Sequence, residues 1–423
     1  MTFLRRQLVT TAFIANALRP PPGFRAGIPV FFAGWLTGEL APHLLTLTAA
    51  DAAAHVTKRR RDPAGLAVAA VNAAGLAYLV LGARKVPEHV EEALTESLGI
   101  DYAEQLDDKP TPADLAVPWR QVATPFRFRG RGVTVEKNIQ FTDAGRRGRL
   151  DVYRPEGDIS NAPVLLQVHG GGWTIGNKDQ QGLPLIHHLA SKGWVCVAIN
   201  YRLAPRDPFP AHVIDVKKGI AWIREHIAEY GGNPDYIAIT GGSAGGHLTA
   251  LAALTPNDPA YQPGFEDADT SVQVAVPHYG VYDFAGATGL RSAELMRDSF
   301  LGPRILKKRF RDEPHEFEAG SPILRITEDA PDFFVMHGAH DTLVSVEQAR
   351  QFVDKLRKTS HRSVVYAELP GTQHAYDVFH SIRSAHVVRA IDRFLHWHWN
   401  TWRAEQEAGD AQPVSGQVSP AER

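Results

Sequence analysis

The sequence predicts an α/β domain with one mostly parallel sheet, and three observations lead to this fold class. Apolar runs of strand length alternate with helical patterns over about 280 residues from residue 125 onward. The central runs are almost entirely apolar, as expected of strands covered by helices on both faces. The segments between them repeat apolar residues at spacings of three and four, which is typical of helices packed against a sheet.

Eight strands are expected in this part of the chain. They are Val133–Phe141, Gly148–Arg154, Val164–Val168, Trp194–Asn200, Tyr236–Thr240, Val272–Val276, Phe333–Met336 and Val364–Leu369. The first two form a pair joined by a turn that contains Gly and Arg. Helical spacing is found over residues 213–227, 346–356 and 387–395. The sequence therefore places one α/β domain over residues 125–402.

The first 107 residues differ from this domain, because they are rich in Ala and Leu and their charges are sparse and clustered. Residues 63–83 contain no charge, and basic residues stand on both sides, at 58–61 and 84–85. Their length and flanks predict a transmembrane helix, although Ala and Gly dominate their composition. A soluble helical lid is the alternative. The distribution of basic residues does not predict which way such a helix would be oriented in a membrane, and no signal peptide is predicted.

Three further segments complete the organisation of the chain. Prolines mark residues 108–124 as a linker. The segment near 281–331 is longer than a simple crossover and mixes apolar with charged residues, so we expect it to cap a pocket, together with the N-terminal helices. The polar tail over 403–423 is predicted to be disordered.

Composition excludes several classes of protein. The 423 residues carry a formal net charge of −2, and no basic stretch is interleaved with aromatic residues, so no nucleic-acid partner is expected. Cys196 is the single cysteine, which excludes an intramolecular disulfide and a cysteine-based zinc site. His396 and His398 are two apart on a predicted helix and do not share a face. We therefore expect no metal site and no cofactor.

A nucleophilic serine is predicted at Ser243. The segment Gly241–Gly246 has the sequence GGSAGG and lies between the apolar strand Tyr236–Thr240 and a helical run. A serine on a sharp strand-to-helix turn exposes its hydroxyl, and glycines two positions before and after it let the neighbouring backbone pass. The G-x-S-x-G pattern alone is weak evidence, but its place between strand and helix makes it strong.

An oxyanion hole is predicted at the loop His169–Trp173, whose sequence HGGGW follows the strand Val164–Val168. Three consecutive glycines indicate a backbone that approaches another group closely. Such a loop supplies N–H groups for a developing oxyanion, and Gly171, Gly172 and Ala244 are the expected donors. A phosphate-binding loop is the alternative, but its fingerprints are missing here. His169 is expected to support the loop.

The acid and the base are predicted in two later loops. Asp341 follows the strand Phe333–Met336, and His374 follows the strand Val364–Leu369. The order Ser243, Asp341, His374 is the order of a Ser…Asp…His triad. Asp283 is the rival acid, because it follows the preceding strand. The competing bases are His361 and His380.

These motifs together resemble the α/β-hydrolase superfamily and, within it, the hormone-sensitive-lipase-like carboxylesterases. The shared segments are HGGGW (169–173), NYRLAP (200–205), GGSAGG (241–246), HGAHDTLV (337–344) and GTQHAYD (371–377), and the resemblance covers about 125–400. Gly242 departs from the group, which commonly has Asp before the nucleophile. Because of this departure, feruloyl-esterase-like and arylformamidase-like proteins are also candidate relatives. The N-terminal region resembles the lead-in of mycobacterial-type membrane-associated lipases and esterases.

The resemblance implies an α/β-hydrolase fold, a mostly parallel central sheet flanked by helices, with a helical cap. It also implies a serine esterase or lipase that acts through Ser243, His374 and Asp341 on a small-molecule or lipid ester. The alternatives are an amidase or arylformamidase with the same triad, and a catalytically silent hydrolase-fold binding protein. The N-terminal region predicts membrane association; otherwise the protein is expected in the cytoplasm. The sequence does not give the acyl length or the oligomeric state.

Overall fold

A computed structural model describes residues 1–21, 27–58, 62–107, 109–128, 130 and 132–410 of the chain. One sheet of eight strands forms its centre, in the order β1-β2-β4-β3-β5-β6-β7-β8. The strands are β1 (Val133–Gln140), β2 (Arg149–Pro155), β3 (Ala162–Val168), β4 (Val195–Ile199), β5 (Gly232–Gly242), β6 (Val274–His278), β7 (Asp332–Gly338) and β8 (Val364–Leu369). β2 pairs antiparallel with β1 and β4, and all other pairs are parallel. The predicted fold class and the eight strands are confirmed.

Fourteen α-helices occur in the described residues. The first seven precede the sheet: α1 (Phe3–Leu18), α2 (Gly27–Glu39), α3 (Ala41–Thr57), α4 (Pro63–Ala83), α5 (Val86–Leu98), α6 (Pro112–Leu115) and α7 (Trp119–Val122). The other seven accompany it: α8 (Leu183–Ala190), α9 (Ala211–His226), α10 (Ala244–Leu254), α11 (Arg291–Met296), α12 (Pro314–Ala319), α13 (Val346–Thr359) and α14 (Ile382–Asp410). A π-helix, Arg297–Leu306, continues α11.

Two large apolar clusters fill the part of the chain over 132–410, which we call the α/β part. One lies between the sheet and helices α9, α10 and α13, and the other between the sheet and helices α8 and α14. The central strands β3, β4, β6 and β7 are buried along their whole length. Burial on both faces explains why these strands have almost no alternation of polar and apolar residues.

The N-terminal helices have little core of their own. Their main cluster contains only Ile14, Ala17, Ala41, Leu76 and Leu79. The helical segment Pro63–Leu98 is long and apolar enough to cross a membrane, and only 28% of its most apolar 18 residues are buried in the protein. Helix α5, in contrast, packs through Val90 and Leu94 into the second cluster of the α/β part.

Two sequence-based boundaries change. The prediction that the disordered tail begins at 403 is wrong for 403–410, because α14 runs on to Asp410; the rest of the tail lies outside the described residues. Trp399 and Trp402 pack on Tyr236 and carry α14 past the sheet. The predicted linker 108–124 contains two short helices, α6 and α7, and its residue 108 is outside the described residues, as are 59–61 of the basic flank.

Candidate active site

Ser243 stands at the turn between β5 and α10, at the carboxyl edge of the sheet. Its backbone has φ 59° and ψ −120°, a conformation rarely adopted by residues other than glycine. Two flanking glycines allow this turn, since a Cβ would lie 2.5 Å from the Val168 oxygen at Gly241 and 2.2 Å from it at Gly245. Ser243 itself is partly exposed. The chain thus holds a serine in a strained turn with its side chain accessible.

Three backbone N–H groups in the glycine loop and at the start of α10 have no acceptor among the described residues: those of Gly171, Gly172 and Ala244. Gly171 and Gly172 have positive φ angles of 117° and 58°, which turn the loop sharply beside the end of β3. A Cβ on Gly170 would lie 3.2 Å from the Ser243 Cβ, so the loop and the serine are direct neighbours. Free N–H groups at this position are suited to bind an oxyanion.

Side chains hold the glycine loop in place from behind. The Gly170 N–H donates to Gln181 Oε1 at 2.7 Å, and the Tyr201 hydroxyl donates to the His169 carbonyl at 2.8 Å. His169 stacks on Tyr201, and burial lowers the pKa of its ring to about 4. The ring is therefore neutral near pH 7, and its Nδ1–H donates to the Gly170 carbonyl at 2.7 Å. His169 supports the loop rather than facing the serine.

His374 and Asp341 meet in a direct hydrogen bond, with 2.6 Å between His374 Nδ1 and Asp341 Oδ2. Both side chains are buried. The Asp341 carboxylate also accepts the N–H groups of Leu343 and Val344 at 2.8 and 2.9 Å. His337 Nε2 lies 3.2 Å from Asp341 Oδ2. These contacts fix the carboxylate in one orientation.

The charge of Asp341 follows from these contacts. Burial by itself raises the pKa of this carboxyl, but the charge of His374 and hydrogen bonds from His337 and His374 outweigh burial and hold the pKa below its ordinary range. Gln373 ties the two loops together, because its Oε1 accepts the N–H of Thr342 at 2.9 Å and that of His374 at 3.0 Å. The loops after β7 and β8 thus form one rigid unit around the pair.

The rival residues lie elsewhere. The Asp283 carboxylate accepts the N–H groups of Gly286, Ala287 and Thr288 at 2.7 to 3.0 Å and stabilises its own loop. His361 is exposed, and the ring nearest to His380 is that of Phe128. Only His374, of the three predicted bases, is bonded to Asp341.

Tyr279 was missed by the sequence reasoning, and it explains the glycine before the serine. Its ring lies 4.5 Å from the His374 ring, and its hydroxyl donates to Asp377 Oδ1. A Cβ on Gly242 would lie 2.4 Å from the Tyr279 hydroxyl oxygen, so the tyrosine fills the space that a side chain at 242 would need. Two features of the sequence could have indicated this contact: the departure from the family pattern at Gly242 and the aromatic residue directly after β6.

Two aromatic side chains border the site from outside the sheet. Phe31 on α2 meets the His374 ring edge-on at 5.7 Å. Phe300 on the π-helix lies 3.4 Å from where a Cβ on Gly172 would stand. One N-terminal helix thus places an aromatic ring beside His374, and the segment between β6 and β7 places one beside Gly172.

Among the described residues, one group of side chains has the spacing of metal ligands: Glu313, His315 and Glu316, whose ligand atoms lie within 4.8 Å of one another. Lys308 already pairs with both glutamates, at 3.0 and 2.7 Å, and so places a cation where a metal ion would bind. Cys196 lies in β4, where burial raises the pKa of its thiol. Neither feature belongs to the serine site.

Comparison with known proteins identifies relatives along most of the chain. It is 45% identical to the probable carboxylic ester hydrolase LipM of Mycobacterium tuberculosis, over 95% of this chain and 94% of LipM. It is 40% identical to esterase LipQ of the same organism, over 86% of this chain and 83% of LipQ. A solved thermophilic esterase from Thermogutta terrifontis has a TM-score of 0.53 at 24% identity, covering 64% of this chain and 96% of the esterase, which shows the shared fold.

The BD-FAE family model matches residues 150–356, which include Ser243 and Asp341. The identity to LipM and LipQ extends into the N-terminal helices, because both alignments cover more of the chain than its α/β part. The motifs, the eight-stranded sheet and these relatives agree. The chain belongs to the hormone-sensitive-lipase-like carboxylesterases of the α/β-hydrolase superfamily.

Proposed function

We propose that the protein hydrolyses carboxylic esters with Ser243 as nucleophile, His374 as base and Asp341 as the acid that orients the base. The observation that carries this proposal is the 2.6 Å bond between His374 and Asp341 in loops beside a strained serine. Asp341 accepts from Nδ1, which fixes the tautomer in which Nε2 is free to take a proton.

The reaction proceeds in two halves. The Ser243 oxygen attacks the ester carbonyl carbon while its proton passes to His374 Nε2, and the carbonyl oxygen becomes an oxyanion. The N–H groups of Gly171, Gly172 and Ala244 stabilise that oxyanion. The carbon–oxygen bond to the alcohol then breaks, and His374 returns the proton to the leaving alkoxide. Water repeats these steps on the acyl-enzyme and releases the acid.

The test is hydrolysis of p-nitrophenyl esters from acetate to palmitate by the wild type and Ser243→Ala. We expect kcat/KM to fall at least about 10³-fold in the variant for every ester, because the covalent route is closed. A fluorophosphonate probe should label the wild type and leave Ser243→Ala unlabelled. Equal hydrolysis by both proteins would remove Ser243 from the mechanism.

We also propose that helices α1, α3 and α4 embed in a membrane, and we call these three helices the N-terminal anchor. Large apolar side chains point outward from all three, such as Phe13 (47% exposed), Leu47 (64%) and Leu81 (57%). Helix α4 contains no charged residue, and the α1 residue Arg6 pairs with Asp51 of α3 at 2.7 Å. An apolar exterior whose charges are few and paired is suited to a bilayer and costs free energy in water.

The contacts inside the anchor support the same proposal. Asn72 Nδ2 donates to the Gln7 carbonyl at 2.8 Å, and the Thr11 hydroxyl donates to Asn72 Oδ1 at 2.8 Å. A Cβ on Gly75 would lie 2.8 Å from Ile14 Cγ2, so α1 and α4 approach closely at a glycine. Polar pairs between helices and small residues at the contact are typical of helices that pack in lipid.

Sedimentation with phospholipid vesicles tests the anchor. We expect the full chain to pellet with the vesicles and to stay there in 1 M salt, which screens surface charges. The triple variant Val71→Lys, Tyr78→Lys and Leu81→Lys changes three exposed positions of α4 and should stay in the supernatant. A wild-type chain that stays soluble, or that salt releases, would contradict the proposal.

A further inference from the structure

Helix α2 differs from the three helices of the anchor, because its inner face lies on the catalytic loops. Phe31 meets the His374 ring, and the Thr342 hydroxyl, next to Asp341, donates to the Gly27 carbonyl at 3.3 Å. A Cβ on Gly34 would lie 3.5 Å from Gln373 Nε2. One helix thus touches the loop of the base and the loop of the acid.

The outer face of α2 is apolar and uncovered. Ile28, Phe32 and Leu36 are spaced four residues apart and are 64, 50 and 39% exposed. The only charged residue of α2, Glu39, turns inward, where its carboxylate accepts from Arg383 at 3.0 Å and from the Ser381 hydroxyl at 2.6 Å. The exposed surface of α2 therefore carries no charge.

A helix of the same chain shows what a water-facing surface looks like. Helix α13 covers the sheet with Phe352 and Leu356, and its exposed positions are Arg350, Asp354, Arg357 and Lys358. That is the amphipathic pattern of a helix between core and water. Helix α2 has apolar residues on both faces, so its outer face requires an apolar environment.

The anchor indicates what that environment is. The Asn16 side chain of α1 donates to the Val30 carbonyl of α2 at 2.9 Å, so the two helices adjoin. The three outer side chains of α2 offer only a few hundred Å² of apolar surface, short of the roughly 800 Å² per partner that a stable dimer buries. A second copy of the chain is therefore a poor occupant, whereas a lipid leaflet is continuous with the environment proposed for the anchor.

We propose that the outer face of α2 rests in the lipid leaflet, and that the preferred substrates are esters whose hydrocarbon chain is dissolved in that leaflet. Such an ester reaches Ser243 along α2 and past Phe31 without its chain crossing water, which avoids the unfavourable exposure of its CH₂ groups. This inference rests on the proposed serine esterase and its anchor. It adds the substrate class and the surface that receives it.

The test compares two substrates, p-nitrophenyl acetate in buffer and p-nitrophenyl palmitate dissolved in phosphatidylcholine vesicles. The variant carries Ile28→Gln, Phe32→Gln and Leu36→Gln, since glutamine retains helix propensity while making the face polar. We expect hydrolysis of the vesicle-borne palmitate to fall about 10-fold or more, while hydrolysis of acetate stays within about twofold. The variant should still pellet with vesicles, because the anchor is intact.

The matched control replaces three exposed apolar residues elsewhere, Ile100, Leu115 and Leu324, by glutamine and should leave both rates unchanged. If the triple variant loses both activities, the single variant Phe32→Gln decides between misfolding and a selective effect. Equal loss of both activities in that variant, or loss of neither in the triple variant, would overturn the proposal. So would a wild-type dimer that the triple variant dissociates. Acetate hydrolysis that survives Ser243→Ala would instead defeat the proposed mechanism alone.

Discussion

The N-terminal anchor and the α/β part handle apolar residues in opposite ways. In the α/β part, residues such as Leu166 and Val197 are fully buried between the sheet and its helices. In the anchor, five residues form the main cluster, while Val71, Tyr78 and Leu81 stay more than half exposed. Apolar residues thus lie inside the α/β part, whereas many of those in the anchor face outward, as expected if the proposed lipid environment surrounds it.

The difference also concerns polar groups. In the α/β part, the buried polar pair His374 and Asp341 belongs to the proposed catalytic site, whereas in the anchor the buried pair Asn72 and Gln7 joins two helices. Helix α2 connects the two regions, because it touches His374 on one side and adjoins α1 on the other. Changes that act on one region only would separate their roles.

The largest effect is expected from Asp341→Asn, which alters the chemistry of the α/β part and leaves the anchor intact. The amide favours the wrong tautomer of His374, so kcat/KM for p-nitrophenyl acetate should fall about 10³- to 10⁴-fold. Sedimentation with vesicles should not change. Asp283→Asn is the matched control, since Asp283 bonds only its own loop, and a comparable loss there would make Asp283 the acid.

The next largest effect is expected at the junction of α2 with α14. Glu39→Leu leaves Arg383, which is 2% exposed, without its carboxylate partner. Breaking a buried ion pair on one side costs about 3–5 kcal/mol, so the thermal midpoint should fall.

The double variant Glu39→Leu with Arg383→Met sharpens this test. Replacing both charges by apolar side chains of similar volume is often neutral, so the double variant should regain most of the lost stability. If it is as unstable as Glu39→Leu alone, the pair does not join the two regions in the manner described.

A smaller effect is expected from truncating one leucine in each region. Leu166→Ala in β3 removes a fully buried side chain and should lower the free energy of unfolding by about 2–5 kcal/mol. Leu81→Ala on α4 removes a side chain that is 57% exposed and should change it by less than about 0.5 kcal/mol. Both are measured by urea unfolding in the same detergent micelles. Equal losses would mean that Leu81 is covered by protein.

Much of the α/β part could be predicted because its signals are local. A strand such as β3 is apolar throughout, and the glycines around Ser243 are a consequence of its turn, so both are visible in a few consecutive residues. The boundaries of β5 and β6 are less visible: β5 begins at Gly232, four residues before the predicted start, since pairing and not composition sets where a strand begins.

The remaining features depend on distant parts of the chain. No local pattern reveals that Phe31 meets His374, or that Tyr279 fills the space beside Gly242, because both contacts join segments far apart in sequence. Helix α14 continues past the predicted end of the domain because Trp399 and Trp402 pack against Tyr236 on β5. Sequence reasoning predicted three side chains for the site and a contribution of the N-terminal helices to its cap, but not that α2 is the helix that contacts His374.

The last effect depends on pH and is expected from three buried histidines of the α/β part. Burial lowers the pKa of His212 and His247 to about 3 and that of His169 to about 4. An unfolded histidine has a pKa of about 6.5, so between pH 6.5 and 4 the unfolded chain binds protons that the folded chain does not. The contribution of these histidines to the free energy of unfolding should therefore be constant above about pH 7 and should decrease as the pH falls towards 4.

His212 allows the contribution of a single histidine to be measured, because neither of its ring nitrogens has a hydrogen-bond partner among the described residues. In His212→Phe, the slope of unfolding free energy against pH between 6 and 4 should be smaller by up to about 1.4 kcal/mol per pH unit, the value for one proton. His361→Phe changes an exposed histidine and should leave the slope as in the wild type. If the two variants have the same slope, burial of His212 does not contribute to the loss of stability in acid.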